Sequence, residues 1–147
     1  MYLALKDLVS LFKNSRGVKD NLLFVTVCDQ AHTAQPKGLF VSLTKNAGEL
    51  SDAISNGAIA AIWDQGLELP SYIPNQFPLF FTPDPAEAIV TILNCYHEKL
   101  NGETDKIMEI TNFKISNKKL LNKNKETYDI AVMLNEITSK NDAEGRE

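Results

Sequence analysis

The chain has 147 residues, of which 44% are hydrophobic, enough for one core followed by a tail. Its formal net charge of -4 and pI near 5.2 argue against binding nucleic acid over a whole basic face. No apolar run approaches the roughly 18 residues that a membrane-spanning helix needs, and the amino terminus lacks the pattern of a secretory signal. Cys28 and Cys95 lie far apart in apolar surroundings, so buried free thiols and a cytoplasmic location are expected.

An amphipathic helix and a strand are predicted first. Hydrophobic residues recur at helical spacing within residues 2–13, and residues 14–17 supply the end of that helix. The residues on this apolar stripe are Leu5, Leu8, Val9 and Phe12. Residues 22–27 (LLFVTV) are a short β-prone run, which predicts the first strand, and a polar loop over residues 28–36 follows it.

The middle of the chain predicts the unit around which the rest is organised. Residues 38–43 (GLFVSL) are apolar and β-prone, and residues 48–56 carry apolar positions at helical spacing. Gly57 stands where a helix often ends in a left-handed residue. Residues 58–63 (AIAAIW) are apolar without alternation, as expected of a strand buried on both faces. A strand, a helix and a second strand in this order predict a βαβ unit and a parallel sheet.

A loop, a strand and a well-marked helix follow. Residues 64–76 contain Gly and Pro breakers, and residues 78–82 (PLFFT) predict a fourth strand. Asp84, Pro85 and Glu87 form a capping-box pattern, with a cap, a proline at the first helical position and an acid at the third. The apolar face of the predicted helix consists of Ile89, Ile92, Leu93, Tyr96 and Leu100.

The fold class predicted from these elements is α/β, with a small, mostly parallel sheet flanked by helices. Residues 1–103 form the predicted domain. Residues 104–147 are predicted to hold one more strand (107–115), a Lys/Asn-rich linker (116–126) and a terminal amphipathic helix (127–138). The apolar stripe of that last helix is Ile130, Met133, Leu134 and Ile137.

The sequence contains no recognisable catalytic, cofactor-binding or metal-binding motif. Neither GxxxxGKS, GxxxxGKT nor GxGxxG occurs, so no cofactor is predicted. His32 and His97 are isolated, whereas a zinc site usually needs three or four ligands within reach. Cys28 with His32 would pair a nucleophile with a base, but an apolar thiol at a strand end more often packs. Asp84 and Glu87 are accounted for by capping, so the chain is expected not to be an enzyme on its own.

Two further features have both a structural and a functional interpretation. The lysines from Lys114 to Lys125 suit a solvated linker better than contacts to phosphate or to an acidic partner. Trp63, at the end of a predicted strand, suits core packing better than stacking on a ligand.

The order of these elements resembles the amino-terminal domain of the Mur ligases, most of all the members that add the third residue or the dipeptide to UDP-N-acetylmuramoyl peptides. In that family a strand ends in Asp-Ser-Arg, a proline and a Gly-Asp-Leu-Phe strand follow, and a helix leads into Asn-Gly-Ala and an apolar strand. Residues 38–41 (GLFV), 56–58 (NGA) and 84–96 stand in the corresponding places. The resemblance covers about residues 2–100 and implies a domain that binds a uridine nucleotide-sugar, a peptidoglycan precursor.

The sequence departs from that family at three places. The positions of Asp-Ser-Arg hold Gln30, Ala31 and His32, so a hydroxyl and a guanidinium suited to a diphosphate are absent. His32 is positive only when protonated. The loop after Leu43 is about four residues shorter than its counterpart, which carries a Gly-x-x-x-x-Asp-Gly stretch. Where the family has the Gly-Thr-Asn-Gly-Lys-Thr phosphate loop of its ATPase domain, this chain has residues 107–115 and the linker.

The resemblance therefore implies a non-catalytic, cytoplasmic relative of the Mur ligase substrate domain, with a part in cell-wall biosynthesis. Ligands of open α/β sheets bind outside the carboxyl ends of the strands. The polar residues expected to converge there on a uridine nucleotide-sugar are His32, Thr33, Thr44, Lys45 and Asn46. The alternative is an interaction or regulatory module whose ligand site has decayed, with a protein partner at the terminal helix. Neither hypothesis includes a membrane or a nucleic acid as a partner.

Overall fold

The computed structural model describes residues 2–17, 21–43, 47–74, 76–101 and 110–115, with the backbone alone for residues 100 and 101. Within these residues the chain is an α/β fold. In chain order its elements are β1 (Leu3–Ala4), α1 (Leu5–Leu11), β2 (Ser15–Arg16), β3 (Leu23–Phe24), β4 (Thr26–Cys28), β5 (Gly38–Val41), α2 (Leu50–Ser55), β6 (Ala58–Asp64), β7 (Leu79–Thr82), α3 (Pro85–Asn101) and β8 (Asn112–Lys114).

The main sheet is mixed but mostly parallel, as predicted. Its strand order is β2-β7-β6-β5-β4-β8. The strands from β7 to β8 in this order are parallel to one another, and β2 pairs antiparallel with β7 at one edge. The predicted βαβ unit is confirmed, because β5 and β6 are parallel neighbours joined through α2. Strands β4 to β7 lie side by side in chain order, whereas β8 returns to the far side of β4.

Helices cover both faces of this sheet. α3 packs on one face with α1 beside it, and α2 packs on the opposite face. The side chains of β5 show the resulting alternation, since Leu39 and Val41 join the core under α3 and Phe40 joins the core under α2. Each strand of the centre is therefore buried on both faces, which accounts for its continuous apolar sequence.

A β-bulge places two successive residues of β6 on the same face of the sheet. Gly38 pairs with Ala58, but the next residue of β5, Leu39, pairs with Ala60. Ile59 is thus the extra residue of β6, and both Ile59 and Ala60 pack against the α3-side core. Beyond the bulge the two strands return to a regular parallel register.

The amino-terminal segment differs from the single helix predicted over residues 2–13. β1 pairs with β3 in a separate antiparallel pair, so α1 begins only at Leu5. Leu5 and Leu8 are buried as predicted, whereas Val9 is 47% exposed. The predicted strand over residues 22–27 is likewise divided between two sheets, because Val25 separates β3 from β4. Pairing with distant strands sets these boundaries and overrides local preference.

The cap of α3 is confirmed in its main part. The Asp84 carboxylate oxygen Oδ1 accepts the backbone N–H groups of Ala86 and Glu87 at 3.1 and 3.3 Å. The reciprocal bond differs from a capping box, because the Asp84 N–H donates to the Thr82 hydroxyl at 3.2 Å. Asp84 is therefore a structural residue of the turn between β7 and α3.

Replacing Asp84 by alanine is expected to lower the free energy of unfolding by about 1 kcal/mol, since two N–H groups lose their acceptor. Urea denaturation measures this change. Asp84→Asn keeps a side-chain acceptor and should retain most of the stability. An equal loss for both variants would contradict the capping role.

Candidate functional site

The carboxyl edge of the parallel strands brings together residues from distant parts of the chain. β4 and β8 are parallel neighbours there, with Cys28 opposite Lys114. The strand order also breaks at this point, because β8 follows β7 in the chain but lies beside β4. In open α/β sheets such breaks are where ligands bind outside the strand ends. We call the residues at the carboxyl ends of β4 and β8 the β4/β8 edge.

A buried acid and a lysine define the β4/β8 edge. Asp29 follows β4 directly and is fully buried, and its N–H donates to the Lys114 carbonyl at 3.4 Å. The Lys114 ammonium Nζ donates to the carbonyl oxygen of Ala34 at 2.9 Å, so this side chain reaches across the loop after β4. Both charges act on the neighbouring Cys28, with opposite signs. The β4/β8 edge therefore combines a half-buried lysine with a fully buried acid.

The Cys28 thiol is buried and protonated. Its Sγ donates to the Gln30 carbonyl at 3.3 Å and accepts the Gln30 N–H at 3.5 Å. Burial raises the pKa of Cys28 and outweighs the lowering by the Gln30 backbone, by Lys114 and by a hydrogen bond from Thr33, while Asp29 adds to the rise. A raised pKa leaves little thiolate at neutral pH, so this cysteine is a poor nucleophile.

The loop after β4 runs back beside α2. The Ala31 N–H donates to the Ala47 carbonyl at 2.7 Å, and the Gln35 N–H donates to the Asn56 carbonyl at 2.9 Å. The Gln35 side chain is fully buried, and its Nε2 donates to the carbonyls of Gln30 and of Thr33, at 3.0 and 3.1 Å. Backbone hydrogen bonds thus fix the loop near both of its ends, and the Gln35 side chain fixes the residues between them.

His32 and Thr33 lie on this loop but have different surroundings. Thr33 is half-buried and is one of the groups that lower the pKa of the Cys28 thiol, so it lies near the β4/β8 edge. The His32 side chain is 75% exposed, and its Nε2 lies 3.9 Å from Oδ2 of Asp52 on α2. This exposed pair contributes little to stability even when the imidazole is protonated.

The other predicted site residues, Thr44, Lys45 and Asn46, lie outside the described residues. Their position in the chain is between Leu43, just past the carboxyl end of β5, and Ala47, whose carbonyl accepts from Ala31. Their convergence with His32 and Thr33 stays a prediction. Of the strand predicted over residues 107–115, residues 112–114 form β8. Residues 107–109 and the terminal stripe from Ile130 to Ile137 lie outside the described residues.

Sequence reasoning missed the two charged residues of the β4/β8 edge. The signal for Asp29 was its place directly after a buried strand, where an ionisable residue faces the edge of the sheet. Lys114 was placed with the linker lysines, although it is the last residue of β8. No local pattern indicates that these two residues meet, because the pairing of β4 with β8 brings them together.

The turns after β6 and β7, at the same edge of the sheet, are structural. The amino terminus of α3 is already occupied by the Asp84 carboxylate, which disfavours a second anion there. The Asp64 carboxylate accepts the Gly66 N–H at 2.9 Å and closes the turn after β6. Trp63 is 7% exposed and packs in the α2-side core, in line with the packing interpretation.

In the described ranges, no three His, Cys, Asp or Glu side chains are grouped so that they could hold a metal ion. The helices in the same ranges are too short or too polar to cross a membrane. Comparison with known proteins adds no assignment: no protein-family model matches the chain, and no curated protein matches it significantly.

Proposed function

We propose that this chain is a non-catalytic relative of the Mur ligase amino-terminal domain and binds a uridine nucleotide-sugar at the carboxyl edge of its sheet. The observation that carries the proposal is the Lys114 ammonium at the β4/β8 edge, whose Nζ donates to the Ala34 carbonyl in the loop that also contains Thr33. The resemblance adds to it through the order of the elements, although the motif's acid corresponds to Gln30 and not to the neighbouring Asp29.

Lys114 is suited to replace the positive charge that the arginine of the family's Asp-Ser-Arg motif would supply and that this chain lacks at His32. An ammonium group has three N–H donors, so its bond to Ala34 is compatible with donation to a phosphate oxygen. Lysine binds phosphate as a point charge and lacks the paired geometry of arginine. The proposed site therefore holds a diphosphate less rigidly than an arginine would, with Lys45 as a second cation in the adjacent loop.

In the proposed function the chain binds its ligand and does not catalyse a reaction of it. The sequence has no phosphate loop with which to form an acyl phosphate. Asp29 is fully buried, so it is not among the groups proposed to contact a ligand. The raised pKa of Cys28 keeps that thiol protonated. Lys114 and Thr33 are therefore the described side chains proposed to position a ligand.

One observation favours the alternative of a decayed site and an interaction or regulatory module. The positions that correspond to the family's Ser and Arg hold Ala31, which is fully buried, and His32, whose side chain lies beside Asp52 on α2. Neither contributes a donor to the β4/β8 edge in this arrangement. The partner surface in that hypothesis is the terminal stripe from Ile130 to Ile137.

Calorimetry and thermal shift with UMP, UDP and a UDP-N-acetylmuramoyl peptide test the proposal. A ligand at about 100 times its dissociation constant adds roughly 2.7 kcal/mol of apparent stability. Binding by UDP and the muramoyl peptide, with weaker binding by UMP, is the expected result. If none of the three binds at millimolar concentration, the interaction hypothesis replaces the proposal.

Lys114→Ala and Lys45→Ala are each expected to weaken UDP binding about tenfold or more, because a hydrogen bond to a charged group contributes about 1.5–3 kcal/mol. Both variants should unfold at nearly the wild-type temperature. The matched control is Lys6→Ala, which removes an exposed lysine of α1 and should leave affinity unchanged. Unchanged affinity in Lys114→Ala would remove the β4/β8 edge from the proposal.

A further inference from the structure

The end of α2 carries an Asn-Gly sequence that the fold itself requires. Gly57 has a φ of 118°, and a Cβ atom there would lie 2.5 Å from the carbonyl oxygen of Gln35. The Asn56 carboxamide Nδ2 donates to the carbonyls of Ala31 and Asp52, at 2.9 and 3.0 Å. Position 57 therefore needs glycine, and position 56 needs a side chain with an N–H donor.

This requirement creates a chemically labile pair. In an Asn-Gly sequence the glycine has no side chain to hinder attack by its own nitrogen on the preceding carboxamide. The Gly57 nitrogen loses its proton and bonds to Cγ of Asn56, and Nδ2 takes up a proton and leaves as ammonia. Water then opens the resulting five-membered imide at either carbonyl, which yields aspartate or isoaspartate. The net change consumes one water and releases one ammonia.

The folded structure opposes each part of this reaction. Nδ2 leaves Asn56 as ammonia in this reaction, so its two hydrogen bonds to the carbonyls of Ala31 and Asp52 must break. The attacking nitrogen is itself engaged, because the Gly57 N–H donates to the Ile54 carbonyl at 3.1 Å. Three hydrogen bonds must therefore open together before the imide forms.

We infer that Asn56 is a deamidation site which the loop after β4 holds in check, and that deamidation prevents this loop from docking again on α2. A carboxylate at position 56 has no N–H to donate, and it would face the carbonyl oxygens of Ala31 and Asp52. Isoaspartate also lengthens the backbone by one carbon at the residue whose carbonyl accepts from Gln35. The inference is independent of the proposed ligand.

The test compares the full chain in mildly alkaline buffer with and without denaturing urea, and peptide mass spectrometry quantifies conversion at Asn56. We expect conversion in the folded chain to be on the order of tenfold slower or more, since it requires local opening. Asn101-Gly102, the other Asn-Gly sequence of the chain, is the internal reference in urea, where both sites should convert at similar rates.

Gln35→Ala removes the side chain that braces the loop and should speed conversion at Asn56 several-fold in the folded state, because the loop opens more often. Gln65→Ala removes an exposed glutamine beyond β6 and should have no effect. Equal conversion of the wild type in buffer and in urea would overturn the inference, whether or not Gln35→Ala folds. Asn56→Asp should melt below the wild type, and an unchanged melting temperature would overturn the claim that the loop cannot dock again.

Discussion

Gly57→Val is expected to lower the free energy of unfolding by about 3 kcal/mol or more, the sum of two separate penalties. A left-handed backbone penalises an L-residue by roughly 1–2 kcal/mol, and a β-branched side chain is among the least tolerant. The new Cβ would also lie 2.5 Å from the Gln35 carbonyl oxygen, so the loop after β4 would have to move. Urea denaturation of the variant and the wild type measures the loss.

Gly66→Val is the matched control for this substitution. Gly66 lies in an exposed turn, its φ is not in the left-handed range, and its added Cβ would meet only the end of the Asp64 side chain at 3.3 Å. A loss of about 1 kcal/mol or less is expected there. If Gly57→Val were no more harmful than Gly66→Val, the close contact between α2 and the loop would not be a determinant of the fold.

The central βαβ unit could be predicted because local chemistry specifies it. Gly57 marks the end of α2 through a backbone conformation that few other residues adopt. Asp84 marks the start of α3 through its own carboxylate. The apolar run of β6 indicates that this strand is buried on both faces. Such strands are typical of a parallel sheet covered by helices. Each signal lies within a few residues of the feature it predicts.

The short strands could not be predicted in the same way. β2 has two residues and no periodicity, and it exists because Ser15 and Arg16 pair with Phe80 and Leu79 of β7. β1 and β3 depend on each other in the same manner. In the sequence, residues 14–17 therefore indicate only the end of a helix. A strand of two residues forms because of the strand with which it pairs. The residues next to it in the sequence do not indicate which strand that is.

The candidate site likewise contains one residue that the local sequence indicates and one that only long-range strand pairing brings there. The place of Thr33 after a strand predicts a position in the loop at the carboxyl edge, where the structure has it, and its part in ligand binding stays a prediction. Lys114 is in the site only because β8 adds to the sheet beside β4, a pairing between distant parts of the chain. The sequence therefore indicates the polar residues of a loop more readily than polar residues on a strand that is distant in the chain.

The position of β8 also depends on a buried polar group, and replacing it is the second change with a large expected effect. Thr111 is fully buried one residue before β8. Its hydroxyl donates to the Phe24 carbonyl at 2.6 Å and accepts the Leu3 N–H at 2.8 Å. Its own N–H donates to the Tyr96 hydroxyl at 2.8 Å. One side chain thus joins β1, β3 and the start of β8.

Thr111→Val is expected to lower the free energy of unfolding by about 2–4 kcal/mol, because a buried N–H and a buried carbonyl each lose a partner at about 1–3 kcal/mol per group. Valine has nearly the same shape, so the loss reports hydrogen bonding and not volume. Thr111→Ser keeps the hydroxyl and should lose far less, about 1 kcal/mol for the missing methyl group. Because β8 supplies Lys114, Thr111→Val should weaken UDP binding as well, whereas Thr111→Ser should not. Equal stability of the valine and serine variants would show that the hydroxyl does not join these strands.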